Sequence, residues 1–179
     1  MPLDIAIGIL LSLGAAEYFG VEATPWLVLL GIAAALLPDI DILTIPLLGK
    51  WHHRTHTHFP LVYVPLAVLA YLALDPLYAT ILVLGVFAHL VHDTFGIGWG
   101  IAWLWPFSGR KYLFFPADPG RKVDFGRMAT WSPEEEPEVQ EKYGDNDWIR
   151  HYYFRPNTLA YIEYGTLLVA LIILTVYFW

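Results

Sequence analysis

Five long apolar runs, none containing a lysine or arginine, set the terms for this 179-residue chain. They extend from about Leu3 to Val21, Trp26 to Ile45, Phe59 to Leu74, Leu77 to Val91 and Leu159 to Trp179. A bilayer core of ~30 Å is crossed by roughly 17–25 helical residues, so such runs read as transmembrane helices. The third and fourth are short for a full crossing. Short spans are tolerable when their ends face a protein-lined cavity rather than lipid. With 57% hydrophobic and only 15% charged residues, a water-soluble domain of this size would lack the polar surface to cover its core. The N-terminus has neither a basic leader region nor a small-residue cleavage signature, so the first run reads as a retained helix.

Between the fourth and fifth runs the composition changes. FGIGWGIAWLWPF, residues 95–107, is apolar but too short to span. It reads as a re-entrant or interfacial segment, with Trp99, Trp103 and Trp105 forming a belt at headgroup depth. Residues 108–157 are polar and punctuated by Pro and Gly. Within them Ser132-Pro133-Glu134-Glu135 predicts a capped start to a short surface helix, and the glutamates that follow read as its solvated face. The expected fold is all-α. It is a polytopic membrane helical bundle of about five transmembrane helices, with the Gly/Trp-rich segment and a polar cytoplasmic loop. Residues 1–107 form helices one to four, 108–157 the loop, and 158–179 the last helix.

All ten basic residues lie in two places: Lys50 and Arg54, and eight more between Arg110 and Arg155. With five spans both stretches fall on one side. The positive-inside rule puts them and the N-terminus in the cytoplasm, and the C-terminus outside. The expected location is therefore a cell membrane. A net charge of -7 argues against nucleic acid as a partner. No cysteine is present, so any metal site must use His, Asp, Glu, carbonyls or water.

Six of the seven histidines gather at that same cytoplasmic face. Asp39 and Asp41 end the second run in LLPDIDIL. His52, His53, His56 and His58 crowd WHHRTHTHFP. His89, His92 and Asp93 end the fourth run in AHLVHDTFG. On a helix His89 and Asp93 share a face, with His92 on its flank. Pro38 and Pro46 frame the aspartates and favour a break that turns both inward. Ionisable groups at membrane depth need partners, and a divalent cation pairs several at once. Each group alone has a plainer reading: a cap and a turn, a solvated tract, an interfacial histidine. Their convergence on one face favours the metal.

PDID, HRTHTH, HLVHD and WPF, in this order, resemble the YdjM-like family of membrane-bound metal-dependent hydrolases. The resemblance covers residues 38–107. It carries over Pro38, Asp39 and Asp41; His53, Arg54, Thr57 and His58; His89 and Asp93; and Pro106 with Phe107. The family often has Ser after the second His, where this chain has Phe59. The H-x-x-x-D element is also similar to one in zinc-dependent phospholipase C and related nucleases.

The resemblance implies a membrane hydrolase in which Asp39, Asp41, His53, His58, His89 and Asp93 bind one or two divalent ions. Mixed His and carboxylate ligands rank Zn first, with Mn or Fe as alternatives. Asp39, Arg54 and Asp93 are the expected catalytic residues. A bridging aspartate would orient the attacking water, and Arg54 would meet a phosphate, unless it simply pairs with an aspartate. His52, His56 and His92 are expected behind the ligands. Location at headgroup depth favours a lipid or amphipathic phosphoester, with membrane lipid as partner. The chain has no HExxH motif and no Ser or Cys nucleophile signal to favour an amide. Oligomerisation is left open. The alternatives are a divalent-cation transporter or channel, and a metal-stabilised scaffold without turnover.

Overall fold

The computed structural model describes residues 1–48, 53–117, 123–145 and 147–179. The chain is mostly helical. Helix α1 spans Pro2–Phe19 and ends where Gly20 turns left-handed at φ 65°, the conformation a glycine adopts without a Cβ clash. Helix α2, Pro25–Leu36, starts on a Thr24 cap whose side chain accepts from Leu27 N–H. It then tightens into a 3₁₀ segment, Leu37–Thr44, at Pro38. A one-turn helix α3, Ile45–Leu48, follows. Beyond the histidine loop come α4, Tyr63–Ala73, and α5, Pro76–His92. The last helix, α7, runs Thr158–Phe178 from an Asn157 cap.

The bundle centres on α1, which packs against α2, α5 and α7, while α2 also packs on α5 and α4 lies on α5. Small residues bring the helices close. A Cβ added at Gly8 would stand 2.5 Å from Ile32 Cα, and one at Gly31 would stand 2.5 Å from the Gly8 carbonyl oxygen. Gly85 of α5 meets Ala34 and Ala35 of α2 in the same way. Ser12 Oγ, buried at the α1–α2 crossing, donates to the Gly8 and Leu27 carbonyls at 2.8 and 3.0 Å. Close backbone approach through small residues, with hydroxyls satisfied on carbonyls, is the packing mode of helices in lipid. The outward faces fit the same solvent. Leu66, Val68, Leu69 and Leu72 of α4 are exposed, as are Leu168, Ile172 and Val176 of α7.

Three helical stretches are long and apolar enough to cross a membrane: Pro2–Phe19, Pro25–Leu43 and Thr158–Phe178. Pro60–Ala73 and Pro76–His92 are apolar but shorter. The C-terminal ends of α2 and α5 and the N-terminal ends of α1 and α7 meet at one end of the bundle. There Leu3 N–H approaches Glu163 Oε2 at 3.5 Å. At the opposite end Tyr177 OH meets Ala23 N–H at 3.3 Å.

The segment between α5 and α7 departs from an all-helical expectation. Lys111–Phe114 (β1) and Met128–Trp131 (β2) form an antiparallel pair, Lys111 opposite Trp131. The Gly/Trp-rich stretch runs along β1, bridged to it at Phe95–Phe114 and Ile101–Tyr112. Gly100 allows this, because a Cβ there would collide with the Tyr112 carbonyl. The tryptophan belt is corrected accordingly. Trp99 is 8% exposed, in a small core with Leu113 and Trp131. Trp103 donates from its indole N–H to Thr94 Oγ1 at 2.9 Å, and Trp105 stacks on Phe59. Pairing with a strand turns the Trp99 ring inward, whereas a belt would need it outside; Trp103 and Trp105 are half-buried. Helix α6, Glu136–Tyr143, begins about one turn later than expected, with Glu135 rather than Ser132 at its N-cap and a turn over residues 133–135. Ser132 N–H does donate to Glu135 Oε2 at 2.7 Å, as a capping box would have it.

Candidate metal centre

Pro38 ends the α-helical part of α2, and the 3₁₀ turns that follow direct Asp39 and Asp41 toward the histidine loop. Asp41 anchors that loop. Its Oδ2 accepts from Arg54 N–H at 3.1 Å and from Thr57 Oγ1 at 2.7 Å. Its Oδ1 accepts from His53 Nδ1 at 2.8 Å. Arg54 is left-handed at φ 60°, a conformation uncommon outside glycine, and so turns its amide to Asp41 and its side chain to Asp93.

His58 Nδ1 lies 3.1 Å from Thr57 Oγ1 and 3.3 Å from Asp41 Oδ2. With their Nδ1 atoms committed to Asp41 and Thr57, His53 and His58 present Nε2 on the other side. His53 Nε2 stands 3.9 Å from Asp39 Oδ1, and His58 Nε2 stands 3.6 Å from it. From α5, His89 Nε2 comes within 3.4 Å of the same oxygen. Asp93 Oδ2, one helical turn after His89, closes the group at 3.2 Å from His58 Nε2 and 3.7 Å from His89 Nε2.

Three imidazoles and two carboxylates thus surround one small volume. Single ligand atoms of Asp39, His53, His58 and Asp93 all lie within 4.8 Å of one another. Atoms about 2.1 Å from one ion stand roughly 3.0–3.4 Å apart, which is near this spacing. His58 Nε2, His89 Nε2 and Asp93 Oδ2 are buried and have no hydrogen-bond partner among the described residues. Buried polar atoms are ordinarily paired, and three orphans aimed at one point fit a cation there. The donor set of imidazole and carboxylate suits a divalent transition ion. Burial opposes a charge on His58, yet Asp39, Asp41 and Asp93 around it raise its pKa to about 9. The pocket therefore favours positive charge.

Behind the ligands lies a ring of groups that fix them. Asp41 serves His53 and His58, and stands on their Nδ1 side rather than among the converging atoms. Asp4, in the first turn of α1, serves α5. Its Oδ1 faces His89 Nδ1 at 3.1 Å and accepts from His92 Nδ1 at 3.0 Å. Asp4, Asp39 and His89 also lie within ligand range of one another. However, Asp4 and Asp39 meet opposite edges of the His89 ring, so Asp4 orients the ring rather than sharing its ion. Carboxylates on the far nitrogen of ligand histidines set tautomer and orientation in metal sites generally.

Arg54 completes the frame. Its Nη2 donates to Asp93 Oδ1 at 2.8 Å and its Nη1 to the Ile97 carbonyl at 2.7 Å. Gly98, at φ 90°, makes room, for a Cβ there would lie 2.5 Å from Nη1. The simple pairing with an aspartate is thus present. Above the ligands is a cavity of about 760 Å³ whose walls include Asp39, His53, Arg54 and Asp93.

The YdjM inner membrane protein family has a model that matches residues 4–178, nearly the whole chain. The chain belongs to the YdjM family. No curated protein matches it, and no solved structure does. The family is one of inner membrane proteins, in keeping with the apolar helices.

In this YdjM-family protein the sequence motifs meet in space as their order suggested. Asp39, His53, His58, His89 and Asp93 converge, Asp41 and Thr57 brace them, and Arg54 holds Asp93. His92 sits beside Asp4 and Glu163, its Nε2 3.7 Å from Glu163 Oε1. His56 is exposed and edge-on to Phe59, away from the ligands. His52 lies outside the described residues. Pro106 and Phe107 are exposed.

Four participants went unread in the sequence. Asp4 and Glu163 are buried at the helix ends. Lys111 Nζ donates to Glu136 Oε1 at 2.6 Å and to the Arg54 carbonyl at 3.2 Å. Glu136 is thus a partner of the site's loop, not merely a solvated face.

Proposed function

We propose that the protein is a metal-dependent hydrolase working where the bundle meets the cytoplasm, on a phosphoester of an amphipathic substrate. The observation that carries this reading is the convergence of orphaned His58 Nε2, His89 Nε2 and Asp93 Oδ2 on Asp39, at the foot of a cavity with apolar walls. His53, His58, His89, Asp39 and Asp93 would hold one ion, or two sharing Asp39. Zn is the first candidate and Mn or Fe the next. When bound, such an ion polarises a phosphoryl oxygen and lowers the pKa of its water toward ~7. Asp41 and Asp4, on the Nδ1 edges, keep the Nε2 atoms aimed toward it. Asp39 or Asp93 accepts a hydrogen bond from the attacking water and so aims it. Arg54, lining the cavity while tied to Asp93, balances phosphate charge without losing its proton.

The buried ionisable groups of the helices support hydrolysis over transport. Among the described residues Asp4, Asp41, His58, His89, Asp93 and Glu163 lie at one end, and the opposite half of the bundle is lined by Ala, Leu and Ile. No polar path leads onward. We read α4 and α5 as spans in addition to the three longer helices. That makes five, with the N-terminus and both basic loops in the cytoplasm. Elemental analysis of purified protein, followed by a phosphoester screen with and without chelator, tests the proposal. Stoichiometric metal with chelator-sensitive release of phosphate is the expected result. Metal without turnover across a broad lipid and soluble panel would leave a scaffold, and absence of metal would overturn the site itself.

A further inference from the structure

Helices α5 and α7 both pack on α1 but make no substantial packing with each other. The cavity at the metal centre continues into the gap between them. Phe87, Ala88 and Val91 of α5 form one wall, Leu159 and Ile162 of α7 the other, and Ile7 of α1 the floor. Phe87 is 53% exposed and Ile162 49%, so the gap is open at the side of the bundle. Phe87 precedes Asp93 by six residues, which places it about 9 Å further along the helix from the ligands. Along α5 the slot therefore runs from the polar end of the bundle toward the depth of the hydrocarbon, opposite the first turns of α7.

Its two ends differ in chemistry. Beside the ligands are Arg54, His53, Asp39 and Asp93. The linked side chains of Asp4, His92 and Glu163 mark the boundary, with Asp4–His92 at 3.0 Å and His92–Glu163 at 3.7 Å. Past His92 and Asp4 the lining groups of α5 and α1 are Phe87, Ala88, Val91 and Ile7, all apolar, while on α7 Leu159 and Ile162 lie on the mouth side of Glu163. Gly96 touches Leu159, a Cβ there falling 3.1 Å from Leu159 Cδ1, so the turn after α5 braces α7 at the mouth. An apolar gap at this depth is filled by hydrocarbon rather than water.

We propose that this slot binds a hydrocarbon chain of the substrate, entering sideways from the bilayer, with the anionic head resting at the Asp39–Asp93 end. This rests on the hydrolase reading above and names its substrate class: a membrane-resident amphiphile rather than a soluble phosphoester. The continuity of slot, bilayer depth and cation site singles out a chain with a phosphate head over a second helix or a peptide.

A long-chain alkyl phosphate bearing a diazirine at the far end of its chain tests this on purified, metal-loaded protein in lipid nanodiscs. The expected label falls on the facing sides of α5 and α7 and is displaced by the unlabelled alkyl phosphate. Ala88→Trp and Ile162→Trp should each reduce it roughly tenfold while retaining bound metal, since a large ring overfills a fitted slot. Label spread over the outward faces of α4 and α7, or unchanged in both variants, would overturn the proposal. Specific slot labelling without any phosphoester turnover would retire the hydrolase reading but leave the chain site. Turnover indifferent to chain length, with no slot labelling, would retire the chain site alone.

Discussion

Lys111 reaches across from β1 and donates a hydrogen bond to the main-chain carbonyl of Arg54, 57 positions earlier in the chain. Lys111 is 4% exposed, and burial lowers its pKa against the pull of Glu136. The strand segment is thus fastened to a loop residue that is both left-handed and bonded to two aspartates. Removing one member of a buried ion pair costs about 3–5 kcal/mol because the other is left unpaired. Lys111→Met should lower the unfolding midpoint and weaken metal binding. Lys111→Met with Glu136→Leu should recover the midpoint, as an apolar pair replaces the ions, but not the metal affinity. Thermal unfolding and metal titration on the same samples separate the two effects.

Asp39 and Asp41 should differ although the motif holds both. Asp39→Asn removes the negative charge on which three imidazoles converge, and stoichiometric metal should be lost. Asp41→Asn leaves the ligands but loosens His53 and His58, and affinity should fall roughly 10–100-fold. Asp4→Asn should behave as Asp41→Asn does, through His89. Competition titration with a chromogenic chelator distinguishes absence from weakening.

Protons and metal should compete at His58, whose pKa is raised from 6.5 to about 9. In the metal-free protein the charged imidazolium is favoured by folding. Its stabilisation is complete below pH 6.5 and disappears as pH rises through about 9. With metal present the dependence reverses in sign. Binding must displace that proton, so affinity rises with pH up to about 9 and falls as pH is lowered. Unfolding midpoints with and without Zn between pH 6 and 9 should therefore diverge toward the alkaline end, and a constant gap would speak against His58 as a ligand.

Gly98→Ala should reproduce much of Arg54→Ala. A methyl group there meets Arg54 Nη1, and φ 90° is unfavourable for any side chain. Strain of this kind costs on the order of 1–3 kcal/mol. Arg54→Lys should not restore function, because one ammonium cannot hold Asp93 Oδ1 and the Ile97 carbonyl in the guanidinium's fixed fork. Metal affinity and stability of the three variants check this.

The residues of the candidate metal cluster and its brace were legible because their signals are local. Asp39 and Asp41 flank one residue, His53 and His58 share one loop, and His89 and Asp93 share one helix face. What these residues do to each other was less legible. A motif places Asp41 beside Asp39, but only the fold turns it to the Nδ1 edges of His53 and His58. Asp4 reads in sequence as an acidic residue favouring a helix N-terminus, and its partner is 85 residues away. Lys111 reads as one solvated lysine among several in a polar stretch. The strands around it are four residues each and widely separated, so neither alternation nor a tight turn announces them. Trp99 misled for the same reason: aromatic residues next to an apolar helix read as an interfacial belt until a strand partner is known. The five apolar runs all became helices, and three are long enough to cross a membrane by length and composition.

The crossing of α1 and α2 at Gly8 and Gly31 leaves no side-chain cushion to compress between the two helices. Asp4 rides on one and Asp39 on the extension of the other. A thicker or thinner bilayer should then lean the pair as a single rod, with Asp4 and Asp39 at its tip keeping their spacing.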